Sequence, residues 1–137
     1  MTNWIGFDYG KRYIGVAVGH SSTRQACALK TITARKGVPD WKSIDLLVSD
    51  WNPQGFILGY PLNMDGSQQT LTKHVLTFQK NLIQQYQKPC YLVDERLSSY
   101  QAKSSLPKDV NKKDLDSKSA QIILQHWFDE DMPMPPT

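Results

Sequence analysis

Cysteine is scarce in this chain: two in 137 residues, Cys27 and Cys90, each isolated inside an apolar stretch. That excludes a disulfide framework and leads us to expect buried thiols in a reducing compartment. Histidine is nearly as sparse, and His20, His74 and His126 stand with no paired spacing, which argues against a zinc centre. No uninterrupted apolar run is long enough to span a bilayer, and no basic segment leads into an apolar one at the start. Membrane partners are therefore not expected, and the expected location is the cytoplasm. A G-x-x-x-x-G-K-[ST] phosphate loop is missing, as are internal repeats. Neither charge sign dominates: 16 Lys and Arg against 13 Asp and Glu leave a net charge of +3, compatible with a nucleic-acid partner without requiring one.

What is present suits a folded protein. An apolar fraction of 39% and four Trp residues can supply one hydrophobic core. The chain reads as a single domain over residues 1–130, followed by a flexible proline-rich tail, "MPMPPT", within residues 131–137.

Three strand patterns come first, over residues 3–7, 13–18 and 25–31, with turns short enough for an antiparallel meander. Asp40 is placed to cap a helix that carries Trp41, Ile44, Leu47, Val48 and Trp51 on one face, and Pro53 with Gly55 ends it. "GFILG" is apolar throughout, as befits a central strand. After the loop "YPLNMDGS", Ser67 is a candidate cap for a long helix with Leu71, Val75, Phe78, Leu82 and Tyr86 at helical spacing. "CYLVDER" reads as a fifth strand, residues 98–106 as a short helix, "PKDVNKKD" as a loop, and residues 116–128 as a last amphipathic helix. The expected fold is therefore α/β: a five-stranded mixed sheet, its first three strands antiparallel, with helices on both faces.

Against this apolar background, acids at strand ends stand out, because a buried charge is costly without a partner. Asp8 follows the first strand, and Asp94 with Glu95 follows the fifth. Asp116 opens the last helix, where an N-cap role alone would explain it. Its helical phase matches Ala120, Ile123, Leu124 and Trp127, the face directed at the sheet. Asp114 instead shares a phase with Lys118, Gln121 and Gln125, the expected solvent side. Alternation alone leaves Asp94 and Glu95 equal candidates while the strand's register is unknown.

"GFDYGKRYIGVAVG", "GYPLNMDGS", "VDERLSS" and "DSKSAQIIL", in this order and at these separations, resemble the signature segments of the YqgF (RuvX) family. The resemblance runs from about residue 4 to residue 128. It implies a ribonuclease H-like fold and a nuclease for the 5′ end of precursor 16S ribosomal RNA in ribosome biogenesis. A Holliday-junction resolvase acting on branched DNA is the alternative. It also carries the catalytic, metal-holding acids onto Asp8, Glu95 and Asp116. Lys118 and Ser119 depart from the residues usual in the family beside the third acid.

Three clustered carboxylates suit Mg²⁺ or Mn²⁺, expected as two ions when substrate is bound. Two carboxylates about 5 Å apart repel by roughly 3 kcal/mol at an effective dielectric of about 20, so cations are their natural partners. Lys11, Arg12, Asn63 and Arg96 are the candidate nucleic-acid contacts, with Asp65, Gly66, Lys108, Lys112 and Lys113 as weaker ones. Precursor rRNA is the expected partner, with the ribosome or its precursor a further one, and the expected state is a monomer or weak homodimer. Two rival readings remain open. Sugar kinases and actin-like or Hsp70-like ATPases also place D-x-G after a first strand, but need two such domains. A nucleic-acid-binding protein that does not cut is the other.

Overall fold

The structure, a computed structural model, describes residues 2–60, 70–94 and 112–130. Its elements are β1 (Asn3–Asp8), β2 (Tyr13–His20), β3 (Gln25–Arg35), β4 (Val38–Pro39), α1 (Trp41–Trp51), β5 (Gly55–Tyr60), α2 (Thr70–Tyr86), β6 (Cys90–Asp94) and α3 (Lys112–Asp129). The strands form one mixed sheet in the order β4-β3-β2-β1-β5-β6. Neighbours from β4 to β1 are antiparallel, and β5 and β6 run parallel to β1.

Six strands replace the five expected. The extra one, β4, has two residues and pairs Ala34 with Pro39 and Arg35 with Val38, too short to leave an alternating pattern. β3 also continues to Arg35, past residue 31, because an outer strand can carry exposed polar residues such as Thr33 and Arg35. The same outer position overturns the expectation for Cys27, which is exposed, whereas Cys90 is buried in β6.

Alternation along the strands divides the core between two faces. Ile5, Phe7, Tyr9, Ile14, Val16, Phe56 and Leu58 pack on one side against Ile44 and Leu47 of α1 and Val75, Phe78 and Leu82 of α2. On the other side Trp4, Ala17, Ala26, Ile57 and Val93 pack against Ala120, Ile123, Leu124, Trp127 and Phe128 of α3. Helices thus cover both faces, as expected.

α3 settles closely because the strands beneath it carry very small residues. A Cβ on Gly15 would lie 1.9 Å from the Asp116 carbonyl oxygen, and one on Gly19 would lie 2.5 Å from the Phe128 ring. Two glutamines tie the helix sideways to β3. Gln121 donates to the Ala26 carbonyl at 3.0 Å, while Gln125 accepts from the Ala26 N–H at 2.9 Å. These residues were expected on the solvent side; they reach the outer backbone of β3 instead, and their amides satisfy groups that an edge strand leaves open.

α1 begins where expected, but Asp40 makes no side-chain cap to the backbone. Its carboxylate accepts the Ser43 hydroxyl at 2.9 Å. Residues 98–106, the Ser67 cap and the proline-rich tail lie outside the described residues.

Candidate active site

Because β1, β5 and β6 are parallel, their C-terminal ends meet at one edge of the sheet, as the Phe7–Leu58 and Tyr60–Asp94 registers show. Asp8 is the last residue of β1. Period-two alternation gives it the face of Trp4, which lies in the α3-side core, and of Gly6, which faces Leu124. It is half-buried.

Directly across the β1–β2 ladder from Asp8 stands Gly15. Paired residues of an antiparallel ladder project to the same side, and on that side Gly15 meets the backbone of Asp116. The fold thereby brings together two acids from opposite ends of the chain, with a glycine between them that lets the helix backbone reach the strand. Asp116 is also half-buried, and its Oδ2 is withdrawn from solvent.

Asp116 is not the helix cap considered from sequence. α3 starts at Lys112, so Asp116 sits more than a full turn inside, beyond the amide groups that an N-cap serves. Lys112 and Lys113 belong to this helix rather than to the preceding loop. Of the remaining candidates, Lys11 and Arg12 occupy the β1–β2 turn and are exposed. Glu95, Arg96, Asn63, Asp65, Gly66 and Lys108 lie outside the described residues. Among the described residues no group of three His, Cys, Asp or Glu side chains is gathered.

Two residues that sequence reasoning passed over shape this end. Gly15 sets the approach of α3, and its signal was a glycine in the middle of a β-branched strand, "YIGVAV". Tyr9 follows Asp8, is buried, and donates its phenol hydrogen bond to the Gly37 carbonyl. Burial raises its pKa, so the phenol keeps its proton. Two of the three histidines are engaged elsewhere, His20 with the Ser22 hydroxyl at 2.7 Å and His126 with Glu130 at 3.0 Å, while His74 stands beside Gly37.

The family described as "RuvX: Holliday junction resolvase" matches residues 2–130. The chain belongs to the RuvX family. The resemblance read from the four signature segments is thus upheld across the whole fold. Among RuvX relatives, one from Legionella pneumophila (strain Lens), named "Putative pre-16S rRNA nuclease", is 39% identical over 132 residues, covering 93% of this chain and 95% of its own. A Nitrosococcus oceani protein of the same name is 44% identical over 130 residues, covering 92% of this chain and 86% of its own.

Solved structures extend the likeness at the level of fold. Thermus thermophilus RuvC, in a structure titled as a complex with Holliday junction substrate, superposes with a TM-score of 0.59 at 13% identity over 96% of each chain. The yeast mitochondrial Holliday junction resolvase Ydc2 gives 0.51 at 11% identity, covering 91% of this chain and 77% of its own. The RuvX chain therefore carries the ribonuclease H-like fold of these resolvases.

Proposed function

We propose that this protein is a metal-dependent nuclease that hydrolyses phosphodiester bonds and matures the 5′ end of precursor 16S rRNA. One observation carries the reading: Asp8 pairs with Gly15, and Gly15 lies against the Asp116 backbone, at the sheet edge where β1, β5 and β6 end. Half-buried carboxylates on one face are poorly suited to one another and well suited to a hard divalent cation.

Asp8, Glu95 and Asp116 are the proposed ligands of Mg²⁺ or Mn²⁺. Tyr91 and Val93 belong to the α3-side core, and the next position in their phase is Glu95, which supports it as the acid from the "DER" segment. The donor set is all oxygen, which fits these ions and not zinc. When bound, two such ions activate a water and stabilise the oxygen leaving the phosphorus. Asp8 is held at the end of β1 and Asp116 on α3, where its Oδ2 is withdrawn from solvent. Lys11, Arg12, Asn63 and Arg96 are the proposed contacts to the nucleic-acid backbone.

The names borne by relatives in Legionella and Nitrosococcus support a ribosomal RNA substrate. A second reading, resolution of branched DNA, draws on the family's description and on the fold shared with RuvC. The deciding experiment offers purified protein, with Mg²⁺ or Mn²⁺, a precursor 16S rRNA 5′ end and a four-way DNA junction, with Asp8→Asn as control. Cleavage of the RNA by wild type alone is expected. Cleavage of the junction only would favour the second reading. Equal cleavage by wild type and Asp8→Asn would remove the proposed site.

A further inference from the structure

Beside Asp8, at the same edge of the sheet, two turns are bonded to each other. The β1–β2 turn carries Lys11 and Arg12, and the β3–β4 hairpin carries Arg35 and Lys36; all four side chains are exposed. The Ala34 N–H donates to the Arg12 carbonyl at 2.8 Å, and the Gly37 N–H donates to the Lys11 carbonyl at 3.2 Å. The Tyr9 phenol, held in the core, donates to the Gly37 carbonyl from beneath. Both turns are thereby anchored to the strand that ends in Asp8.

The hairpin's sequence runs against its backbone. Its two connecting residues, Lys36 and Gly37, have φ of 51° and 83°. Such a turn favours Asn-Gly, Asp-Gly or Gly-Gly, and a long side chain in the left-handed region is disfavoured. A lysine nevertheless stands at the tip, next to an arginine. Asp40, the acid at the base of the hairpin, is engaged with the Ser43 hydroxyl. A strained residue held by its surroundings invites a functional explanation, and here the strained residue is a cation at the edge of the proposed cleavage site.

We infer that Arg35 and Lys36, on the β3–β4 hairpin, grip backbone phosphates of the substrate strand and extend the Lys11–Arg12 turn into one cationic ledge beside Asp8. This rests on the nucleic-acid reading of that edge and adds a site to it. Lys11 follows Asp8 by three residues, so their Cα atoms lie within about 11 Å, and the bonded hairpin tip adds roughly 6 Å. At a rise of about 3.4 Å per nucleotide, the ledge reaches phosphates within about five nucleotides of the cut. Contacts of this kind position the strand without reading its sequence.

The test uses the double variant Arg35→Gln, Lys36→Asn, because Asn suits the left-handed turn better than Lys. Its melting temperature is expected to equal or exceed that of wild type. Binding is measured by anisotropy on a labelled single-stranded RNA and a labelled four-way DNA junction, in EDTA, across a KCl series. Loss of two phosphate contacts lowers the salt slope of log K by about 1.4 to 1.8 and weakens binding about 25- to 60-fold at 0.1 M salt. In Mg²⁺ or Mn²⁺, KM for cleavage rises while kcat holds. A folded double variant with wild-type affinity and salt slope overturns the inference, as does a wild type that binds neither probe. Binding that weakens as stated, in a protein that never cleaves, upholds the ledge and refutes the nuclease reading alone.

Discussion

Replacing Gly15 by Ala isolates the contact that joins the two halves of the proposed active site. The added methyl would sit 1.9 Å from the Asp116 carbonyl oxygen, 2.3 Å from its carbonyl carbon and 2.9 Å from the Ser117 nitrogen. All three are backbone atoms of a helix, so no side chain can rotate away. Ordinary contact begins at 3.4 Å, which requires the start of α3 to retreat by about 1.5 Å. Overpacking of this kind costs about 1–3 kcal/mol, and the fold should survive it. Catalysis should not, because a misplacement of about 1 Å at a reacting centre costs on the order of 100-fold. The comparison variant is Gly19→Ala, whose methyl meets the Phe128 ring and the Gln25 carbonyl oxygen at the opposite end of α3. Both variants should melt lower than wild type, and only Gly15→Ala should lose about two orders of magnitude in kcat on the cleavable substrate. A folded Gly15→Ala protein with kcat within threefold of wild type would refute the claim that this contact sets the Asp8–Asp116 geometry.

Asp8→Asn should abolish cleavage yet leave the metal-free melting temperature unchanged or raised, since it relieves repulsion at the acid end; calorimetry in EDTA checks this. Cys90 is buried, and burial holds its pKa above the ordinary 9.0, so the native state keeps a proton that the unfolded chain releases. Its contribution is complete below pH 9 and declines as pH rises beyond it; urea titrations at pH 8 to 10.5 should show Cys90→Val falling less steeply than wild type. Tyr86→Phe removes a hydrogen bond to the Asp45 carboxylate at a part-exposed site, for a loss below about 1 kcal/mol by chemical denaturation and no change in cleavage.

Periodicity served best where one face of an element is buried and the other wet. The phase of α3 through Ala120, Ile123, Leu124 and Trp127 was readable, and all four are buried in the α3-side core. Its start was not, because "NKKD" has the polarity of a loop and nothing apolar there marks a helical turn. β4 escaped for the opposite reason: two residues cannot show a period, and only the pairing with Ala34 and Arg35 makes them a strand. Cys27 looked like core because its neighbours are apolar, yet an outer strand leaves one face with little to cover it. Asp8 and Asp116 could be named as acids from their positions, but their meeting depends on Gly15 and the Asp8–Gly15 register, long-range pairings that no local pattern encodes. Between Asp94 and Glu95 local alternation could not choose; the α3-side packing of Tyr91 and Val93 supports Glu95 as the proposed acid.

The seating of α3 across β1, β2 and β3 makes the last helix a structural part of the proposed site. Strand pairing alone leaves Asp8 without Asp116 near its ladder partner Gly15, so under the proposal above a chain shortened before α3 would hold no ion and cut nothing.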